Sequence, residues 1–476
     1  MKMMMMMKID MRENINVVVV AKFHGFWVTI PIKMSAMNDE GSAETVKAEL
    51  AIFDPLPYQV SHVKADWIRQ EPENVCYGTN TATPLIFKID KSPGLYLDFS
   101  DSFVDCVVAI EGIDSAVADT QNVAFVNFAL HTLFRDVSFS INNTKIEGEN
   151  MQYHLKSYIY ALLNSSQNAK QHQLASSGWE HDSAANFDNV ANKGYIARKE
   201  WTLKGRDLYL CGPLYLDTWM QEQYFTDQCG VTLKFTRNSP DLCLQNFCAT
   251  KPAPNYKINI KRMRLWIRKV QVAPSVIAGH QAGLARMNAR WNYNSHKIFT
   301  YFYNTGTNNI AITDSCPGIY PKLILAMMTS TAAYNGDSKL SPYNFKHNSV
   351  RSIGLSINGQ FTPAEPFTPD FATEDVRREY ISLFLGTGHA GLNEDQNGIL
   401  MADFVGGNTI FAFNLSPDLF LSGHGEPARL SNIAIDIKFT TALTEPTTLI
   451  LMCRYDTKIE MTQLGNIVLD PTQSAN

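Results

Sequence analysis

Apolar alternation with a period of two, repeated along most of the chain, is the feature that most constrains its fold. Leu85, Phe87 and Ile89 form one run, Leu95, Leu97 and Phe99 the next, then Val104, Cys106, Val108 and Ile110. Val137, Phe139 and Ile141 continue the series, as do Val231, Leu233 and Phe235. In the second half come Ile353, Leu355 and Ile357, then Phe411, Phe413 and Leu415, then Ile433 to Phe439, and Leu449 to Tyr455. Successive side chains of a strand point to opposite faces, so each run places one face on a core. Many short strands between turn residues predict an all-β sandwich or barrel. Charged residues are 18% of the chain, below the roughly one quarter usual for soluble domains. With 26 Phe, 19 Tyr and 7 Trp, the balance suits sheets that also bury surface against partners.

Three signals recur in the same order in both halves, which suggests two copies of one β fold. Ser140 to Asn143 and Ser356 to Gly359 each end a strand on Asn followed by Asn or Gly, as a tight hairpin requires. Asp207 to Leu210 and Thr409 to Phe413 are strand-like runs, leading into Leu214 to Asp217 and Leu415 to Leu419. Val231 to Thr236 then matches Ile435 to Thr440. Helical spacing appears in Asn150 to Leu163, Pro274 to Arg290 and Thr373 to Leu385. The excursions Asn164 to Glu200 and Gly386 to Leu400, rich in Asn, Ser, Gly, Asp and His, read as long loops.

The N-terminus is atypical. Residues 1–8 are mostly Met, and the apolar run Asn16 to Ile32 is broken by Lys22, His24 and Pro31. It reads as a non-conforming extension, with Met34 or Met37 as the expected start and a disordered or membrane-touching arm as the alternative, and it predicts neither a signal peptide nor a membrane span. The sequons at Asn142, Asn164 and Asn414 are then expected to stay unmodified. Eight scattered cysteines make no CxxC, and free thiols in a reducing compartment are expected. A disulfide between distant positions stays open as an alternative.

From about Thr45 to Asp470 the chain resembles the major capsid proteins of Polinton/Maverick elements and the related adintoviruses. The resemblance is carried by Val46 to Leu50 with Asp54 to Pro57, by Val123 to Ile146 (VAFVNFALHTLFRDVSFSINNTKI), and by Tyr153 to Gln173. Leu216 to Gln221 (LDTWMQ) before Gly230 to Thr236, Pro317 to Met328, Pro342 to His347 (PYNFKH), Phe411 to Asp418 and Ile435 to Leu443 extend it. The first 36 residues and Cys211 to Pro213 depart from the pattern.

The resemblance implies two tandem jelly-roll β-sandwiches, with a few short helices in loops and the connector. The expected division is residues 1–40 as extension, 41–273 and 291–470 as jelly rolls, 274–290 as connector and 471–476 as tail. It also implies homotrimers of pseudo-hexagonal, hexon-like outline tiling an icosahedral virion shell, made in the host cytoplasm and with the nucleus as a site of assembly. Neighbouring capsomers and a penton-type minor capsid protein are the implied partners, beside a packaging ATPase and a maturation protease.

Catalytic, cofactor and metal sites are not expected. P-loop, HExxH, GxSxG and kinase signatures are missing from the sequence. Gly386, Gly388 and Gly391 spell GxGxxG, but a polar stretch follows where a dinucleotide site needs a helix. His389 and His424 lack partners at metal-ligand spacing. His172, Glu180, His181 and Asp182 read as loop polarity. A balance of 41 basic to 46 acidic residues excludes a globally basic nucleic-acid binder. The cluster Lys261, Arg262, Arg264, Arg268 and Lys269, followed by Arg286 and Arg290, reads mainly as a strand with a charged outer face. Its sharper reading is a lumen-facing patch for packaged DNA. The rival functions are a jelly-roll protein that binds or cleaves carbohydrate, and a host-domesticated capsid derivative.

Overall fold

The computed structural model describes residues 58–74, 77–112, 122–148, 151–248, 256–389, 391, 397–417, 419, 425–430 and 432–469, with the strands Met4–Met5, Asn16–Phe23 and Phe26–Lys33. Met34, Met37, Val46 to Pro57, Cys76 and His424 lie outside the described residues. The chain divides into two units, Met1–Gln59 and Val60–Asn476. In the first, Asn16–Phe23 pairs antiparallel with Phe26–Lys33, from Asn16 opposite Lys33 to Phe23 opposite Phe26. The Val-rich run read as a non-conforming extension therefore forms a hairpin, as β-branched residues favour.

The second unit begins with a sandwich of strands β1 (His62–Gln70), β2 (Leu85–Ile89), β3 (Leu95–Gly112), β4 (Phe134–Ile141), β5 (Thr144–Glu147), β6 (Leu208–Pro213), β7 (Val231–Arg237) and β8 (Tyr256–Val272). One sheet has the order β6-β3-β8-β1 and the other β2-β7-β4-β5. A further sandwich follows: β9 (Ala289–Tyr303), β10 (Asn309–Ile312), β11 (Leu323–Ser330), β12 (Val350–Ile357), β13 (Gln360–Phe367), β14 (Ile410–Asn414), β15 (Ile433–Phe439) and β16 (Thr447–Met461). Its sheets run β14-β11-β16-β9, where the short strand Ile467–Leu469 also pairs with β16, and β10-β15-β12-β13. Adding eight to each label of the first sandwich gives the order of the second.

All three repeated signals fall on corresponding strands. Asn142 and Asn143 turn β4 into β5, and Asn358 and Gly359 turn β12 into β13, all four with positive φ. The second pair of signals lies on β6 and β14, and the third on β7 and β15. The runs Leu95–Phe99 and Val104–Ile110 belong to one strand, β3, not two. Register shifts against β8 move the inward residues from odd to even numbers, as a bulge does.

The longer helices are α1 (Tyr153–Asn164), α2 (Lys193–Trp201), α3 (Pro274–Leu284) between the sandwiches, and α4 (Arg377–Thr387). α3 is shorter than its sequence signal because β9 already starts at Ala289. α4 starts later because Asp370–Asp375 closes a turn in which Glu374 has φ 58°. The excursion after α1, read as loop, contains Gln167–Gln171 and α2. Their N-caps are Ser166 and Asn192, whose side chains accept from Ala169 N and Gly194 N, and their low hydrophobicity hid them.

Each sandwich encloses its own core, and a further buried layer lies between the sandwiches. Ile324, Ala326 and Met328 of β11 face the second core, while Leu323, Leu325 and Met327 face this layer. Every residue of β11 is consequently buried.

Candidate functional site

The side chains with functional potential lie in two places: the basic strip on β8, and the seam where the first sandwich and its loops meet the second. On β8, Met263, Leu265 and Ile267 point into the core, which turns their neighbours outward. Lys261 pairs with Asp207 at 2.5 Å, Arg262 with Asp105 at 3.3 Å and Arg264 with Glu71 at 3.0 Å. Arg268 bridges Asp98 and, at 3.1 Å, Asp101, and its guanidinium covers Trp67 at 5.6 Å. Lys269 is buried, which lowers its pKa, and its ammonium donates to Ser92 Oγ at 2.9 Å. All five predicted residues therefore share one strand, four of them against carboxylates from β3 and from beside β1 and β6. Arg290 pairs with Glu460 at 3.1 Å.

The seam starts from aromatic packing. Trp291 of β9 stacks on Phe225 at 4.8 Å and donates to Tyr224 O, so the second sandwich opens inside the first core. Asn142, at the β4–β5 turn, donates to Gly465 O at 2.7 Å beyond β16. In the shared layer Tyr158 of α1 stacks flat on Tyr343 at 3.8 Å, and the Tyr343 hydroxyl meets Thr132 Oγ1 at 2.8 Å.

Four charged or titratable side chains from four places in the chain close the seam. Asp217, from LDTWMQ, faces His296 Nδ1 of β9 at 2.8 Å and accepts from His296 N at 2.8 Å. Lys156 of α1 lies 3.2 Å from Asp217 and 3.3 Å from Glu147 of β5. Glu147 in turn accepts from the Asp217 and Thr218 amides at 2.9 and 2.7 Å. Burial alone would raise the Asp217 carboxyl, but Lys156 and His296 outweigh it and hold it at about 2. Burial likewise opposes the Lys156 charge, and Asp217 and Glu147 reverse this, raising its pKa. Cavities of ≈ 280 and ≈ 180 Å³ flank the group, both lined by Asp217 and His296. With each charge answered by the next, the arrangement acts as a clamp between sandwiches.

Of the remaining sequence candidates, Gly386, Gly388, His181 and Asp182 have identifiable structural neighbours. Gly388, at φ 80°, ends α4 and does not open a helix, and a Cβ on Gly386 would meet that of Ala412 at 2.7 Å. Asp182 is buried against Arg198 at 2.8 Å and accepts from Asn127 and Asn192. His181 lies 3.6 Å from Asp403. Among the described residues no cluster of three His, Cys, Asp or Glu has metal-binding geometry. No helix among them is long and apolar enough to cross a membrane.

Sequence reasoning singled out neither Glu147, Lys156, Arg198 nor His296. The clamp residues Asp217 and His296 are 79 apart in the chain, and lone charges in alternating or helical patterns look like solvated positions.

No model of a known protein family matches the chain. An uncharacterized protein of Caenorhabditis elegans is 21% identical over 385 residues, covering 80% of this chain and 89% of its own. Among solved structures, a chain of the Sputnik virophage superposes with a TM-score of 0.58 at 10% identity, over 90% of this chain and 93% of that one. The Faustovirus major capsid protein gives 0.54 at 11%, over 90% and 93%. A chain of the PBCV-1 virus capsid gives 0.54 at 10%, over 88% and 99%. The fold is the double jelly roll. Both double jelly-roll halves are matched, since these superpositions span nearly the whole chain. The strand order found twice here is the internal signature of that fold.

Proposed function

We propose that the chain is the major capsid protein of a Polinton/Maverick-type virus or virus-like element, a structural subunit and not an enzyme. The observation that carries this is one building block made of two jelly rolls of identical strand order, joined by a buried layer and a charge clamp. Two similar halves in one chain let three chains form a ring of six similar units. Closed symmetry then gives each copy the same contacts. The likeness to the Faustovirus major capsid protein and to the Sputnik and PBCV-1 chains supports the capsid role. The sequence motifs PYNFKH and LDTWMQ support the Polinton/Maverick placement, and both supply side chains to the seam: Tyr343 and Phe345 from one, Asp217 from the other. Partners in this reading are two further copies, neighbouring capsomers and a penton-type minor capsid protein, in a virion capsid. In the described clamp the two carboxylates are held by Lys156 and His296, so nothing there favours glycoside cleavage.

For the basic strip, the ion pairs with Asp98, Asp101, Asp105, Asp207 and Glu71 support bracing of the outer sheet over contact with packaged DNA. Phosphate would have to displace those carboxylates.

The test is expression of the full chain, native mass measurement and negative-stain imaging. Trimers of hexagonal outline are expected. A strict monomer at the concentrations where capsid proteins assemble would overturn the proposal.

A further inference from the structure

Two side chains that neither the seam nor the strip uses lie against each other in the second core. Cys316 is in the segment between β10 and β11, and Cys453 is on β16. Both are fully buried, they are 137 residues apart, and their sulfurs are 2.8 Å apart. That separation falls between a loose contact of two thiols and the ~2.05 Å bond of a disulfide. The segment carrying Cys316 is already held by the start of β15, by β9 and by the stretch before β15. Ser315 N and Oγ both donate to Ile433 O, Tyr301 donates to Ser315 O, and Ile319 bridges Leu430. Three of the other described cysteines have other neighbours: Cys229 the Met461 sulfur, Cys243 the Thr132 carbonyl, Cys248 the Tyr256 hydroxyl.

We propose that Cys316 and Cys453 are a latent disulfide site, which a small peroxide converts into a staple between the segment before β11 and the strand β16. The inference is independent of the capsid reading.

Burial raises the Cys453 thiol well above its ordinary value, so its proton leaves only as the sulfur reacts. Lys297, directly across from it on β9, favours its thiolate, as does Tyr455, although burial and the Cys316 thiol act more strongly in the other direction. The reaction therefore needs an oxidant that fits a closed core, and hydrogen peroxide is small enough. The Cys453 sulfur attacks one peroxide oxygen as its proton leaves, the O–O bond breaks, and a sulfenic acid forms while the released hydroxide takes that proton and becomes water. The Cys316 sulfur then attacks the sulfenic sulfur. The S–S bond forms, and the departing hydroxide takes the Cys316 proton and leaves as water. In total two thiols and one peroxide give one disulfide and two waters, with sulfur oxidised and peroxide oxygen reduced.

The staple closes a long loop in the unfolded chain, so the oxidised protein should unfold at a higher temperature than the reduced one. The experiment uses the full chain, fully reduced, treated with an equimolar amount of hydrogen peroxide and then alkylated in denaturant. Two of the eight cysteines should escape alkylation, and proteolysis should release a peptide pair joined through Cys316 and Cys453. The thermal midpoint should rise by several degrees and fall back with dithiothreitol, and Cys316→Ala should abolish both the linked peptide and the shift. Alkylation of all eight cysteines after peroxide, or a linkage confined to another pair, would overturn the proposal. The peptide map is made on the unsubstituted chain, so it decides the matter even if Cys316→Ala fails to fold.

Discussion

Asp217 sits where burial and charge pull its carboxyl in opposite directions, and charge wins. Its value of about 2, against an ordinary 3.8, means that the folded state holds it ionised more strongly than the unfolded chain does. The contribution to stability is fully present above pH ~4 and is lost as pH falls toward 2, amounting to about 2 kcal/mol. Asp217→Asn should therefore do two things. It should destabilise at neutral pH by about 3–5 kcal/mol, because Lys156 is left buried with Glu147 alone. It should also flatten the decline of the urea midpoint between pH 4.5 and 2.5. Equal slopes in the two proteins would show that the seam carboxylate does not carry the acid sensitivity. None of this was legible from the local sequence. LDTWMQ marked Asp217 as part of a motif, but its partner His296 lies on a strand of the other sandwich, where a histidine flanked by polar residues gives no signal.

At the level of elements, strands were legible and their joints were not. Alternation located inward residues of β2, β3, β4, β7, β12, β14, β15 and β16, since burial of one face is what the pattern records, but it marked neither β1 nor β9, nor β11, which is buried on both faces. It split β3 in two, because the bulge that re-phases the strand is a backbone event without a side-chain period. It also read the β8 cations as one outer charge row, whereas the structure ranks them. Arg268 meets Asp98, a carboxylate almost fully buried, while the Arg264–Glu71 pair is open to solvent. Arg268→Glu would bring a third carboxylate beside Asp98 and Asp101 and uncover Trp67. A loss of about 3 kcal/mol is expected. Arg264→Glu should cost less than about 1 kcal/mol. Urea unfolding of the two variants checks this ranking. If both kept full stability and trimers, while particles retained less DNA, the bracing role would give way to the DNA reading.

The whole molecule depends on whether the two sandwiches stand or fall together. Each has a core that buries its own inward faces, joined where Trp291, Tyr293, Ile459 and Met461 of the second enter the first, and on the cores alone the coupling would rest on that one contact. The layer between them changes this. It takes α1 from the first sandwich and the far face of β11, β14 and β16 from the second, and neither surface is covered if the other leaves. Tyr343 is its central piece, fully buried, stacked on Tyr158 and bonded to Thr132. The compact unit Val60–Asn476 should thus unfold in a single calorimetric transition. Tyr343→Phe keeps the ring and removes one hydrogen bond, so it should cost about 1 kcal/mol and leave one transition. Tyr343→Ala empties the ring's volume, costs about 3–5 kcal/mol, and should split the transition in two as the coupling between the sandwiches fails. Two transitions in the unsubstituted chain, or a single undivided one in Tyr343→Ala, would mean that the layer fills space without coupling the halves.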